Sequence, residues 1–236
     1  MTAQSDSQPA GHMQNHPGHT ENSRFQEPLS RKEREKRVRQ GEILKAAREL
    51  FLSKGFRETT LEEIAHQAEF GKGTIYNYFA SKEELFFGII EQVIEEMQGI
   101  ARESVVAPGS AREKLLLYAR EIIRYVKDNG ELLHVVYHEL HRSNAPENVA
   151  RLREILARGR GAWEVLAEPL KREIHDRTLR DFDALQMIVL FDSMLRGYCF
   201  HQFVIQGRPA DEDYSAAAEI ITSVFFDGIA ERKDRG

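Results

Sequence analysis

Residues 59–82 read TTLEEIAHQAEFGKGTIYNYFASK, and the spacing within this stretch decides the fold. Thr60 with Glu63 three positions on forms a capping box, which satisfies backbone donors at a helix start. Leu61, Ile64, Ala65 and Ala68 follow at helical spacing and give one apolar stripe. Glu69-Phe70-Gly71 makes a turn, and Lys72–Phe79 forms a second helix with Ile75 and Phe79 on its buried face. The opposite face offers Lys72, Thr74, Tyr76, Asn77 and Tyr78, the cationic, hydroxyl and amide groups that contact phosphate oxygens and base edges. The plainer alternative is an αα-hairpin with a polar surface. A short helix entered through glycine and carrying two outward tyrosines is, however, a poor surface helix.

Neighbouring words extend the pattern: Ile43-Leu44-Lys45-Ala46-Ala47-Arg48-Glu49-Leu50-Phe51, Lys54-Gly55-Phe56, Thr59 to Ala65, Gly73 to Phe79, and Ser81-Lys82-Glu83-Glu84-Leu85. In order and spacing, the run from Arg39 to about Met97 resembles the DNA-binding domain of the TetR family of bacterial transcriptional regulators. The resemblance covers about a quarter of the chain; beyond it only length and helical pattern are similar. It implies DNA contacts from Thr59, Thr60, Lys72, Gly73, Thr74, Tyr76, Asn77, Tyr78 and Lys82. One departure stands out. Where the family usually has Gly, a β-branched residue and Ser in the turn, this chain has Glu69-Phe70-Gly71. A left-handed backbone at Glu69 would cost on the order of 1 kcal/mol, while Gly71 is a permitted N-cap.

The 236 residues can hold a small and a larger helical domain. Net charge is −5, but residues 31–82 carry 12 Lys/Arg against 8 Asp/Glu, residues 1–30 carry 1 against 3, and residues 83–236 carry 20 against 27. The basic excess therefore coincides with the helix-turn-helix, and the acidic remainder would confine DNA to one face. No apolar run reaches membrane-spanning length, and no apolar signal segment opens the chain, so neither a membrane partner nor secretion is expected. The single Cys199 fits a reducing cytoplasm.

Outward from the central stretch, the expected fold is all-α. It has a disordered tail at 1–29, a helix-turn-helix domain at 30–99 and a helical ligand-binding and dimerisation domain at 100–236. His12, His16 and His19 lie in the tail, where solvation is the simpler reading than metal binding. RKEREKRVR at 31–39 packs six basic residues into nine positions behind a Ser30/Glu33 capping box. It reads either as an arm for phosphates or an adjacent minor groove, or as a solvated helical extension. Further helices are expected from about Arg34 to Lys54, from Ser81 to about Ala107, from Ser110 to about Lys127, and at 131–142. One more is expected from Pro146 to about His175 with a kink at Pro169, then 181–206 and about 212–231.

The last two helices carry apolar residues round much of their circumference, which suits pairing with a second copy in a four-helix bundle; the family resemblance implies the same homodimer. Polar groups within the apolar middle are the candidates to line an effector pocket: Tyr118, Tyr137, His138, His141, Trp163, Asp192, Arg196, Cys199 and His201. Asp192 and Arg196, at i and i+4, also read as a simple ion pair. His134, His138 and His141 have chelating spacing, so a metal- or haem-responsive sensor is an alternative. No GxSxG, Walker, GxGxxG or HExxH motif occurs, and neither catalysis nor a cofactor is expected. The resemblance implies a ligand-responsive regulator, most often a repressor, released from a palindromic operator by a small molecule.

Overall fold

The computed structural model describes residues 30–142, 145–206 and 214–229, and every element among them is helical. Helix α1 spans Arg31–Lys54, α2 Leu61–Gln67, α3 Lys72–Tyr76 and α4 Lys82–Val106. Local side chains set their starts. Ser30 and Glu33 close a capping box on α1, Thr60 and Glu63 close another on α2, and the Ser81 hydroxyl accepts from the Glu84 N–H. At its far end α1 stops at Gly55, whose φ of 84° is a backbone that favours glycine. Ile43, Ala47, Phe51, Ile64, Ile75, Phe79 and Leu85 bury together beneath these helices. Phe56 stacks between Phe51 and Phe86, with ring centroids 5.1 Å apart on either side, so the α1–α2 loop is pinned to α4.

Helix α3 is shorter than its sequence pattern suggests. It ends at Tyr76, and Asn77–Phe79 form a turn, although Phe79 is still buried. Glu69 has φ 58°, so the left-handed position in the turn is real, and Gly71 is the N-cap of α3.

The larger part comprises α5 (Ala111–Asp128), α6 (Gly130–Arg142), α7 (Pro146–Arg158), α8 (Gly161–His175), α9 (Ala184–Cys199) and α10 (Ser215–Ile229). Helix α4 runs from the first group into the second, packing on α5, α7 and α8. The single helix expected from Pro146 to His175 is two. The break falls at Gly159–Arg160, while Pro169 is buried inside α8. At the break the chain runs close to α4: a Cβ on Gly159 would lie 3.3 Å from Ile94 Cγ2 and 3.1 Å from the Leu156 carbonyl oxygen. Likewise, α9 starts at Ala184 behind the Asp183 cap, and its helical path continues into a π-helical turn, Phe200–Ile205. The expected tail at 1–29, including His12, His16 and His19, lies outside the described residues, as do the ends first given for the last helix.

On α9 and α10 part of the outward face is apolar, beside exposed Gln186, Ser193, Glu219 and Asp227. Leu185, Leu190, Met194, Ile220 and Val224 are exposed, while Ile188, Phe191, Leu195, Ala218 and Phe225 fill the core beneath them.

Replacing Glu69 by Gly removes the side-chain penalty of the left-handed turn. The Glu69→Gly variant is expected to gain about 1 kcal/mol of stability, seen as a higher urea midpoint at unchanged slope.

Candidate nucleic-acid interface and effector site

Five residues cannot hold a helix by themselves, so α3 is held by burial. Ile75 is fully buried and Phe79 nearly so, which turns Lys72, Gly73, Tyr76 and Asn77 outward and leaves Thr74 and Tyr78 half-exposed at the edge. A Cβ on Gly73 would meet nothing within 4 Å, so the helix start is open to a close-fitting partner. The Lys72 ammonium pairs with Glu62 of α2, which holds the Glu62 carboxyl below and the Lys72 amine above their usual ranges. Both side chains are more than half exposed, so a phosphate can compete for that ammonium.

Two of the residues expected to touch DNA are placed differently. Thr59 is buried, and its hydroxyl donates to the Gly55 carbonyl at 2.8 Å, so it fastens the α1–α2 loop and is not presented to a phosphate. Lys82 donates to the carbonyls of Arg57 (2.9 Å) and Thr59 (2.8 Å) and lies 4.6 Å above the Phe56 ring. It ties the start of α4 to the same loop and is not the free anchor its charge suggested. Thr60 is exposed, but its hydroxyl serves the capping box: it accepts from the Glu63 N–H at 3.3 Å and donates to Glu63 Oε2 at 3.0 Å.

Three basic residues outside the expected set join this surface. Lys32, Lys36 and Arg39 of α1, with Glu35, line a groove of about 460 Å³ whose other wall is Thr74, Asn77 and Tyr78. Their i, i+4, i+7 spacing within RKEREKRVR was the signal for a single face.

In the larger half, the effector candidates divide into two groups. Asp192 is buried, and its carboxylate receives three donors: Tyr118 Oη (2.7 Å), Trp163 Nε1 (2.9 Å) and Arg196 Nε (2.5 Å). The guanidinium also reaches Met97 Sδ on α4 at 3.3 Å. The Arg196 side chain keeps 42% of its surface exposed against 2% for Asp192, while its guanidinium is held by Asp192 and Met97. Burial, with the Asp192 charge adding to it, pushes the Tyr118 phenol far above its ordinary range and keeps it a neutral donor. Cys199, a turn further along α9, is buried, and that burial pushes its thiol up to about 12.

Helix α6 separates the remaining candidates. His134 and His138 stack on each other with centroids 4.2 Å apart and line a cavity of about 390 Å³ against Lys54, Phe56 and Arg57. His138 therefore faces the α1–α2 loop and not the Asp192 cluster, because a four-residue step returns to one helix face. On another face Tyr137 packs against Phe200 (4.9 Å) and His141 (3.8 Å), and the His141 ring hydrogen-bonds the Tyr137 carbonyl at 2.9 Å. The three imidazoles thus do not converge, and no group of three metal-ligating side chains occurs among the described residues. His201 is exposed. Helix α6 also joins the two halves through Arg48 with Asn129, just before its start, and Arg57 with Glu139 at 3.7 Å.

Residues 43–89 match the family model for bacterial regulatory proteins of the tetR family. Over 58 residues the chain is 45% identical to the uncharacterized HTH-type transcriptional regulator YfiR of Bacillus subtilis, covering 25% of this chain and 28% of that protein. It is 28% identical over 123 residues to the fatty acid metabolism regulator protein of the same organism, covering 52% of this chain and 63% of that one. Both alignments span less than two thirds of the relative's length. Among solved structures, the transcriptional regulator FadR from Bacillus subtilis in complex with stearoyl-CoA superposes with a TM-score of 0.62 at 23% identity, over 80% of this chain and 98% of that one. The amino-terminal segment is thus a TetR-family helix-turn-helix, carried on the fold of TetR-family transcriptional regulators. No helix among the described residues is long and apolar enough to cross a membrane.

Because its thiol is buried and held protonated, Cys199 is expected to resist iodoacetamide at neutral pH in the folded protein. Mass spectrometry should find it alkylated only after denaturant is added.

Proposed function

We propose that this protein is a ligand-responsive DNA-binding transcriptional regulator, a repressor that a small molecule releases from a near-palindromic operator. The observation that carries the reading is α3: anchored beneath by Ile75, it turns Lys72, Gly73, Tyr76 and Asn77 to solvent beside a basic α1. In this reading Lys72 and the backbone at Gly73 meet phosphates, and Thr74, Tyr76, Asn77 and Tyr78 face the groove. The exposed apolar face of α9 and α10 supports a homodimer built as a four-helix bundle. Two copies would set their α3 helices about 34–36 Å apart, the spacing of successive major grooves.

For the effector, we take the Asp192 cluster as the site and an anion with an apolar body as its ligand class. Arg196 supplies a part-exposed side chain on Asp192, whose other donors, Tyr118 and Trp163, and the buried Cys199 a turn along α9 bring apolar bodies to the same part of the core. The stearoyl-CoA held by the structurally similar FadR belongs to that class. Through Met97 the Arg196 guanidinium touches α4, and through Phe200 the end of α9 touches Tyr137 of α6. Both helices reach the DNA-binding half, so a ligand that shifts them would disfavour the operator-bound spacing, and DNA would disfavour the ligand equally.

The test begins with DNA selected by the pure protein from its own genome. Asn77→Ala should lose about 1–3 kcal/mol of binding on the selected duplex and little on a scrambled one; equal losses would contradict base reading. Val224→Glu should give folded monomers in sedimentation and lower operator affinity by about 100-fold or more. A Val224→Glu protein that stays dimeric with full affinity would remove this interface.

A further inference from the structure

We infer that the first three turns of α1 form a rigid cationic rail that grips the sugar–phosphate backbone beside the groove faced by α3. The inference rests on the DNA-binding reading above and extends its footprint. Residues 31–39 are all exposed, yet they continue α1 without a break from the Ser30 capping box. Here Lys32, Lys36 and Arg39 fall on one stripe spanning about 10 Å of helix and open onto the groove shared with Thr74, Asn77 and Tyr78. The one acid in that lining, Glu35, is held by Arg31 at 2.8 Å. Lys32, Lys36 and Arg39 have no ion pair among the described residues. Three free cations and a neutralised acid, continuous with the α3 surface, match a polyanion.

Helical form also decides what the rail can read. With side chains an α-helix is about 10–12 Å across, whereas the minor groove is about 6 Å wide. An extended arm threads that groove; this rod does not fit. Its backbone stays outside that groove, which leaves the phosphates on the rim as the nearest partners of its cations, and such contacts carry no sequence preference.

The experiment uses the full chain, a duplex that the wild-type protein selects from random DNA, and a scrambled duplex. The Lys32→Ala, Lys36→Ala, Arg39→Ala triple variant keeps exposed helical positions in a good helix former, so its thermal unfolding should match wild type. Plotted against the logarithm of salt from about 50 to 200 mM, its binding should have a slope flatter by about 2–3 on both duplexes. Glu35→Gln should bind both more tightly. An unchanged slope in the triple variant, or a loss confined to the selected duplex, overturns the rail while the α3 reading stands. A wild-type protein that binds no duplex overturns both.

Discussion

Burial of Ile75 and Phe79 is the constraint on which the DNA-facing surface depends. A five-residue helix loses more in ordering its backbone than it regains in hydrogen bonds, so α3 exists because those two side chains are buried in the core that it shares with its neighbouring helices. The same sealing fixes which way the remaining residues point. Lys72, Tyr76 and Asn77 therefore face solvent on a rigid base and would meet a partner without first paying to be ordered. The aromatic row Phe51, Phe56, Phe86 and the two carbonyl contacts of Lys82 brace that base from the α4 side.

A second constraint works in the larger half. Asp192 is a buried carboxylate, costly unless its oxygens are satisfied, and Tyr118, Trp163 and Arg196 satisfy them from three different helices. That arrangement locks α5, α8 and α9 together and carries the Arg196 guanidinium to Met97, where α4 and α9 meet. Interlocked packing of this kind shifts between discrete arrangements instead of deforming smoothly, which is the property an effector site needs if it is to move the start of α4.

Helix starts were legible in the sequence because capping is local: Ser30, Thr60, Ser81 and Ser110 each cap through a residue three positions away. The left-handed turn at Glu69 was raised by the family resemblance, since the family usually has Gly there. Features set by distant contacts were not legible. The sequence pointed to a kink at Pro169 between residues 146 and 175, whereas the break falls at Gly159–Arg160, where a Cβ would crowd Ile94 of α4. Phe79 keeps helical spacing from Ile75 while lying past the end of α3, so periodicity overran the helix. Asp192 and Arg196 were visible as an i, i+4 pair, but Tyr118 lies 74 residues away and Trp163 29. His138 was grouped with the wrong cluster because nothing local tells which face of α6 rests against the α1–α2 loop.

Affinity cleavage tests the central claim most directly. Gly73 is exposed with open space around it, and Cys199 is buried, so Gly73→Cys accepts a thiol-directed iron chelate at the start of α3 alone. Bound to its selected duplex, the labelled protein should cut in two clusters about 34–36 Å apart, one for each subunit's α3. Protected binding with no cutting, or one diffuse patch, would mean that α3 does not sit in the groove and would contradict the account.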